Sequence, residues 1–165
     1  PTKNNFFILI NNNQSQLLET ISSRCIKNNI FLSPSSSKKI INYLVENKKV
    51  EVIINPDTTN LTPGLYFEFN HILTKNNIVL KNDISETISS LLNLYKKSKN
   101  NSIINLCTYL IEEYIYNQIS LNKNNINSFI ILKEKIFKIL KNLEDYNLNV
   151  TSIVNSIKLK INHVQ

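Results

Sequence analysis

Arg24 is the only arginine in a chain of 165 residues whose other basic side chains are all lysine. It stands in QLLETISSRC, residues 16–25, between Ser23 and Cys25. A guanidinium offers five N–H donors in a planar fork, which fits phosphate oxygens better than the point charge of a lysine does. The site follows an apolar run and a short helical stretch, the kind of place where an α/β sheet presents ligands. Phosphate contact is therefore the chemistry that its type and position suggest.

Other candidates carry less. Glu112-Glu113 and Glu144-Asp145 are paired carboxylates, but adjacent residues on a helix diverge by about 100° and do not converge on one substrate. Cys25 and Cys107 lack CxxC spacing, and His71 and His163 complete no ligand set, so free thiols in a reducing cytosol are expected and a zinc site is not. Ser22 and Ser23 have no neighbouring His and Asp to activate a nucleophile. The seven tyrosines fall in helical patterns, as expected of core-edge packing rather than a base-stacking platform. Gly64 is the only glycine, which excludes a phosphate-cradling loop, a dinucleotide fingerprint and a nucleophile elbow within these residues.

The elements that must position Arg24 follow from periodicity. NNFFILINNN, residues 4–13, is a short apolar block with polar stops and reads as a buried strand. Leu17, Leu18 and Ile21 have helical spacing, and Ile26, Ile30 and Leu32 suggest a second strand or extended link. Residues 1–32 are thus expected to be β-α-β, the edge of an α/β domain. Ser33 to Ser36 offer a helix cap before Ile40, Ile41, Leu44 and Val45. Turn chemistry is expected at Asn55-Pro56-Asp57 and at Thr62-Pro63-Gly64, followed by a short helix over 65–73 with Leu65, Phe69, Ile72 and Leu73 on one side.

Beyond residue 81 the pattern is uniformly helical. Asp83 or Asn82 can cap, with Glu86 in capping-box spacing, ahead of a stripe of Ile84, Ile88, Leu91, Leu92 and Tyr95. Further helices are expected over about 102–119, over 126–145 with a stripe of Phe129, Leu132, Ile136, Phe137, Ile139, Leu140 and Leu143, and over 150–163 with Ile153, Val154, Ile157, Leu159 and Ile161, joined by short Asn-rich connectors suited to antiparallel neighbours. The fold expected is mostly α. It comprises an α/β remnant (1–32), a small helical module (33–80) and an antiparallel helical bundle (81–165).

Composition bounds the rest. The chain is 42% hydrophobic and 19% charged, which suits a folded domain. No apolar run reaches the roughly 18 residues of a membrane span, and no signal peptide opens the sequence, so a cytoplasmic protein is expected. The absence of Met points to a start inside a larger protein. The net charge of +7 permits an acidic partner or nucleic acid, although abundant Asn, Lys and Ile also follow from AT-rich codons.

In these residues a resemblance becomes specific. The apolar strand ending in polar residues, followed by the pattern LL.TI.SRC, resembles the clamp-loader subunits of the AAA+ family, for which Ser-Arg-Cys is a hallmark. SPSSSKKIINYL (33–44) resembles the first helix of that family's lid domain, and NLTPGLYFEFNHIL (60–73) its later Pro-Gly helix. NLNVTSIVNSIKLKI (147–161) is similar to the final helix of the collar.

The resemblance implies that Arg24 is an arginine finger, acting in trans on the ATP of a neighbouring subunit and stabilising charge during phosphoryl transfer. It also implies that Ser23 and Cys25 hold the finger's turn, and that Asn11 ends the sensor-1 strand. Asn11 to Asn13 depart from the Thr common in members that hydrolyse ATP, which fits a non-hydrolysing subunit. Glu19 stands where Pro is usual. No cofactor or metal is implied within these residues. The implied partners are the other loader subunits (gamma/tau and delta) and, through the complex, the sliding clamp and primer-template DNA, with no membrane. An ATP-hydrolysing gamma-type subunit and an unrelated basic helical nucleic-acid-binding module are the alternatives.

Overall fold

A computed structural model describes residues 7–11, 17–48, 50–81, 83–121, 125–146 and 148–162. They form seven helices and no strand among the described residues: α1 (Glu19–Ser22), α2 (Pro34–Lys48), α3 (Pro63–Lys75), α4 (Ile84–Ser98), α5 (Asn101–Leu121), α6 (Ile126–Tyr146) and α7 (Val150–Asn162). The mostly helical class is as expected. The chain divides into two units, Pro1–Leu32 and Ser33–Gln165.

Among its described residues the first unit does not form the expected β-α-β; residues 4–6, 12 and 13 of the expected first strand lie outside them. Residues 7–11 and 26–32 are irregular, and α1 is a single turn. A strand exists only through the ladder bonds of a neighbour, and among the described residues no segment of this unit pairs with another. The large apolar side chains among its described residues are exposed, from Phe7 and Ile8 to Ile30 and Phe31.

In the second unit the sequence decides each helix end locally. Ser33 caps α2: its Oγ accepts from the Ser36 N–H at 3.1 Å, while Pro34 brings a preset φ and no orphan donor. Thr62-Pro63-Gly64, expected as a turn, instead opens α3, with Thr62 Oγ1 accepting from the Leu65 N–H at 3.5 Å. That start lengthens the helix beyond the expected 65–73. The other end closes with Asn77 in the left-handed region at φ 50°. There Ile78 N–H donates to Leu73 at 2.9 Å and Asn77 N–H to Thr74 at 3.1 Å, the paired bonds of a Schellman ending. Asp83 caps α4 by accepting from the Ser85 N–H at 2.9 Å. Glu86 turns instead to Lys81, 2.6 Å away.

Helices α4, α5, α6 and α7 close a ring in which each packs on the next and α7 returns to α4; α3 docks on α5, and α2 on α3. Only Lys99 and Asn100 separate α4 from α5, so the chain reverses between these packed neighbours. The stripes read from periodicity supply most of the core: Ile84, Ile88, Leu91, Leu92 and Tyr95 on α4, and Phe129, Leu132, Ile136, Leu140 and Leu143 on α6 are buried, while Phe137 and Ile139 of the α6 stripe are half-buried. A single buried cluster runs from Ile41 on α2 to Ile161 on α7, so the segments expected as helical module and bundle share one core.

Magnitudes show what holds the unit. Each fully buried Leu, Ile or Phe contributes about 1.5–3 kcal/mol. The ion pairs Lys38–Asp57, Lys81–Glu86 and Lys133–Glu112 all involve substantially exposed side chains, and such pairs contribute about 0–1 kcal/mol each. Apolar burial dominates. Some residues expected on apolar faces do not join it: Ile40, Leu65 and Leu159 are exposed.

Polar groups inside the core are paired. Asn70, fully buried on α3, accepts at Oδ1 from the N–H groups of Ile53 (2.9 Å) and Ile54 (3.0 Å). Its Nδ2 donates to the Tyr66 carbonyl at 2.9 Å. Residues 50–62, which join α2 to α3, are therefore strapped to α3 by side chains rather than by a sheet.

Candidate functional site

The expected site lies on the turn that leaves α1. Leu18 precedes that helix without a side-chain cap, and the turn is held by backbone bonds. Ser22 N–H donates to Leu18 at 2.9 Å, Ser23 N–H to Glu19 at 2.9 Å and Arg24 N–H to Ile21 at 3.1 Å. Ser23 Oγ reinforces it by donating to the Thr20 carbonyl at 3.4 Å. Arg24 and Cys25 follow, both exposed. Among the described residues no ion pair or hydrogen bond engages the guanidinium. The fork is thus presented outward by a turn whose own bonds do not use it.

Compared with known proteins, the chain matches no protein-family model, no curated protein and no solved structure.

Ser23, Arg24 and Cys25 are brought together by their adjacency on one turn. Asn11 lies apart, on the exposed stretch 7–11, which is not a strand; Asn12 and Asn13 fall outside the described residues. Such an arrangement can bind an anion supplied from outside, because a guanidinium makes short, charge-assisted bonds to phosphate oxygens.

Elsewhere several titratable groups are engaged in structure. Glu112 pairs with Lys133 of α6 at 2.8 Å, and Lys133 Nζ also lies 5.2 Å from the centre of the Phe137 ring. Burial, and then the charge of Glu112, push the Glu113 carboxyl above the usual range. The two carboxylates do different things, as their divergence on a helix requires. His71 is exposed, His163 lies outside the described residues, and both cysteines are free, Cys25 exposed and Cys107 buried. A groove of about 400 Å³ beside α4 is lined by Asn76, Asn77, Lys81, Ser90, Asn93 and Lys97 among others; Lys81 there is already paired with Glu86.

The network that the sequence reading missed is Tyr66, Asn70, Tyr109 and Thr59. Tyr66 donates its hydroxyl to the Ile54 carbonyl at 2.9 Å, and Tyr109 donates to Thr59 Oγ1 at 3.1 Å. The available signal was Tyr66 and Asn70 at i and i+4, on the same face as Phe69 and Leu73.

Among the described residues no helix is long and apolar enough to cross a membrane.

Proposed function

We propose that the chain is part of a clamp-loader subunit that does not hydrolyse ATP, similar to the delta-prime subunit of DNA polymerase III. In this reading residues 1–32 are the edge of an AAA+ core, 33–80 the lid and 81–165 the collar that holds the subunits together. Arg24 is a finger reaching the γ-phosphate of ATP bound by a neighbouring subunit. The observation that carries the reading is Ser23-Arg24-Cys25 on an exposed turn, with the chain's only guanidinium free of partners among the described residues. A group that acts in trans must be presented in this way, since a finger neutralised within its own chain has nothing to offer a neighbour's phosphate.

The test is Arg24→Ala in the assembled loader. Fingers contribute on the order of a thousandfold or more at the site they serve, so the DNA-stimulated ATPase of that site should collapse. Unchanged ATPase and clamp loading would remove the assignment. The sequence upstream separates this subunit from the gamma type, because an intact phosphate-binding loop with its lysine would make the parent a hydrolysing subunit.

A second reading, a basic nucleic-acid-binding module, has one observation in its favour. Lys135, Lys138 and Lys141 are exposed along α6, and none belongs to an ion pair found among the described residues. Binding to DNA that weakens steeply with salt, together with no association with loader subunits, would favour it.

A further inference from the structure

We infer that α2 is a releasable arm: it leaves α3 while the strap and the four-helix ring stay folded. Three independent observations carry this. In packing, α2 meets no described helix except α3, whereas α3 is also seated on α5 and every ring helix has at least two neighbours. In burial, Ile41 is the single fully buried apolar side chain among the described residues of α2, with Leu44 and Val45 only half-buried. By contrast α3 buries Tyr66, Phe69, Ile72 and Leu73.

The third observation is where the strap is tied. Residues 50–62 join α2 to α3, and their strongest anchors belong to the helices beyond. Asn70 and Tyr66 of α3 hold Ile53 and Ile54, and Tyr109 of α5 holds Thr59. Ile54 is itself buried in the core. What α2 gives the strap is the Ser37 hydroxyl on the Leu61 carbonyl at 3.1 Å and Lys38 on Asp57, at 2.7 Å to Oδ1 and 3.3 Å to the carbonyl. The Lys38–Asp57 contacts are exposed, and exposed ion pairs hold little. When α2 lets go, the strap does not have to follow.

A helix of 15 residues without tertiary support is marginal in water, so the released arm also loses its backbone bonds. Local opening of this kind, well below the cost of global unfolding, is how the least-packed element of a domain behaves. The position gives the device a purpose. Residue 33 begins the second unit and α2 is its first helix. Release therefore lengthens the covalent connection between the two units without disturbing the ring.

Hydrogen exchange read by mass spectrometry on the whole chain tests this. Amides within 37–47 should exchange at least about tenfold faster than those of 66–73, while Ile53 and Ile54 keep the protection of α3. In an Ile41→Ala variant, α2 should lose its remaining protection with α3 and α4–α7 unchanged. Equal protection of α2 and α3 in the unaltered chain would overturn the inference. So would an Ile41→Ala variant in which α3 and the ring lose protection together with α2.

Discussion

The phenol of Tyr66 donates to the carbonyl of Ile54 across 2.9 Å, deep in the second unit. Tyr66 is wholly buried, and burial raises its pKa, so it stays a neutral donor at any ordinary pH. Tyr66→Phe keeps the ring and strands a buried carbonyl, which should cost about 1–2 kcal/mol. Asn70→Ala strands two strap N–H groups and also removes a side chain, so its cost should be larger, about 3 kcal/mol. Urea unfolding monitored by circular dichroism ranks the two. Equal midpoints for Asn70→Ala and the unaltered chain would show that the strap contributes nothing to stability.

Two carboxylates should give opposite pH signatures. The Ser85 hydroxyl and then its N–H, with smaller help from Lys158 and Lys81, hold the Asp83 carboxyl below the usual range. A lowered folded-state value means that the cap stabilises above the unfolded carboxylate pKa of about 4 and fades as pH falls through the folded value. Asp83→Ala should therefore cost about 1 kcal/mol at neutral pH and progressively less in acid.

Glu113 is raised, by burial first and Glu112 second, so its charged form burdens the folded state. Glu113→Gln should stabilise modestly at neutral pH. The gain should vanish as pH falls below both carboxyl values and the native glutamate is protonated in either state. Unfolding midpoints measured from pH 7 to pH 3 separate the two carboxylates, and parallel curves would contradict both assignments.

The two thiols should differ sharply. Cys25 is exposed, whereas burial pushes the Cys107 thiol far above its ordinary range. Since the thiolate is the reactive form, Ellman's reagent should titrate one cysteine rapidly in the native chain at pH 8 and two after denaturation. Rapid labelling of both in the native state would contradict the burial of α5.

Arg24→Ala should leave the fold untouched. Its side chain is exposed and has no partner among the described residues, so the unfolding midpoint should change by no more than about 0.5 kcal/mol. A larger loss would mean that the guanidinium holds structure rather than waiting for a ligand.

The ring was legible because 3.6-residue periodicity is a local property. The stripe of α4 appears in the sequence as it appears in the core, and that of α6 does so except at half-buried Phe137 and Ile139. Two things were not legible, for one physical reason. The apolar run 6–10 reads as a buried strand, yet whether it becomes one depends on neighbours that the run cannot specify. Asn70 reads as one more polar residue in an Asn-rich chain, and its buried role is set by the strap folding back on α3. Likewise Thr62-Pro63-Gly64 carries turn and helix-start signals alike, and the helix won because Thr62 finds the Leu65 N–H. Around Arg24 the turn itself follows from local bonds, while what the arginine would meet is not written in this chain.

Residues 7–10 leave a practical legacy. They are 62–89% exposed, uncharged and free of proline, the composition of a segment that stacks with its own copies into cross-β layers. At high concentration the chain should form fibrils seeded there even while the ring remains native, and a single gatekeeper such as Ile8→Lys should delay them in a thioflavin assay. Shelf life in solution would then be governed by four exposed residues rather than by the stability of the ring.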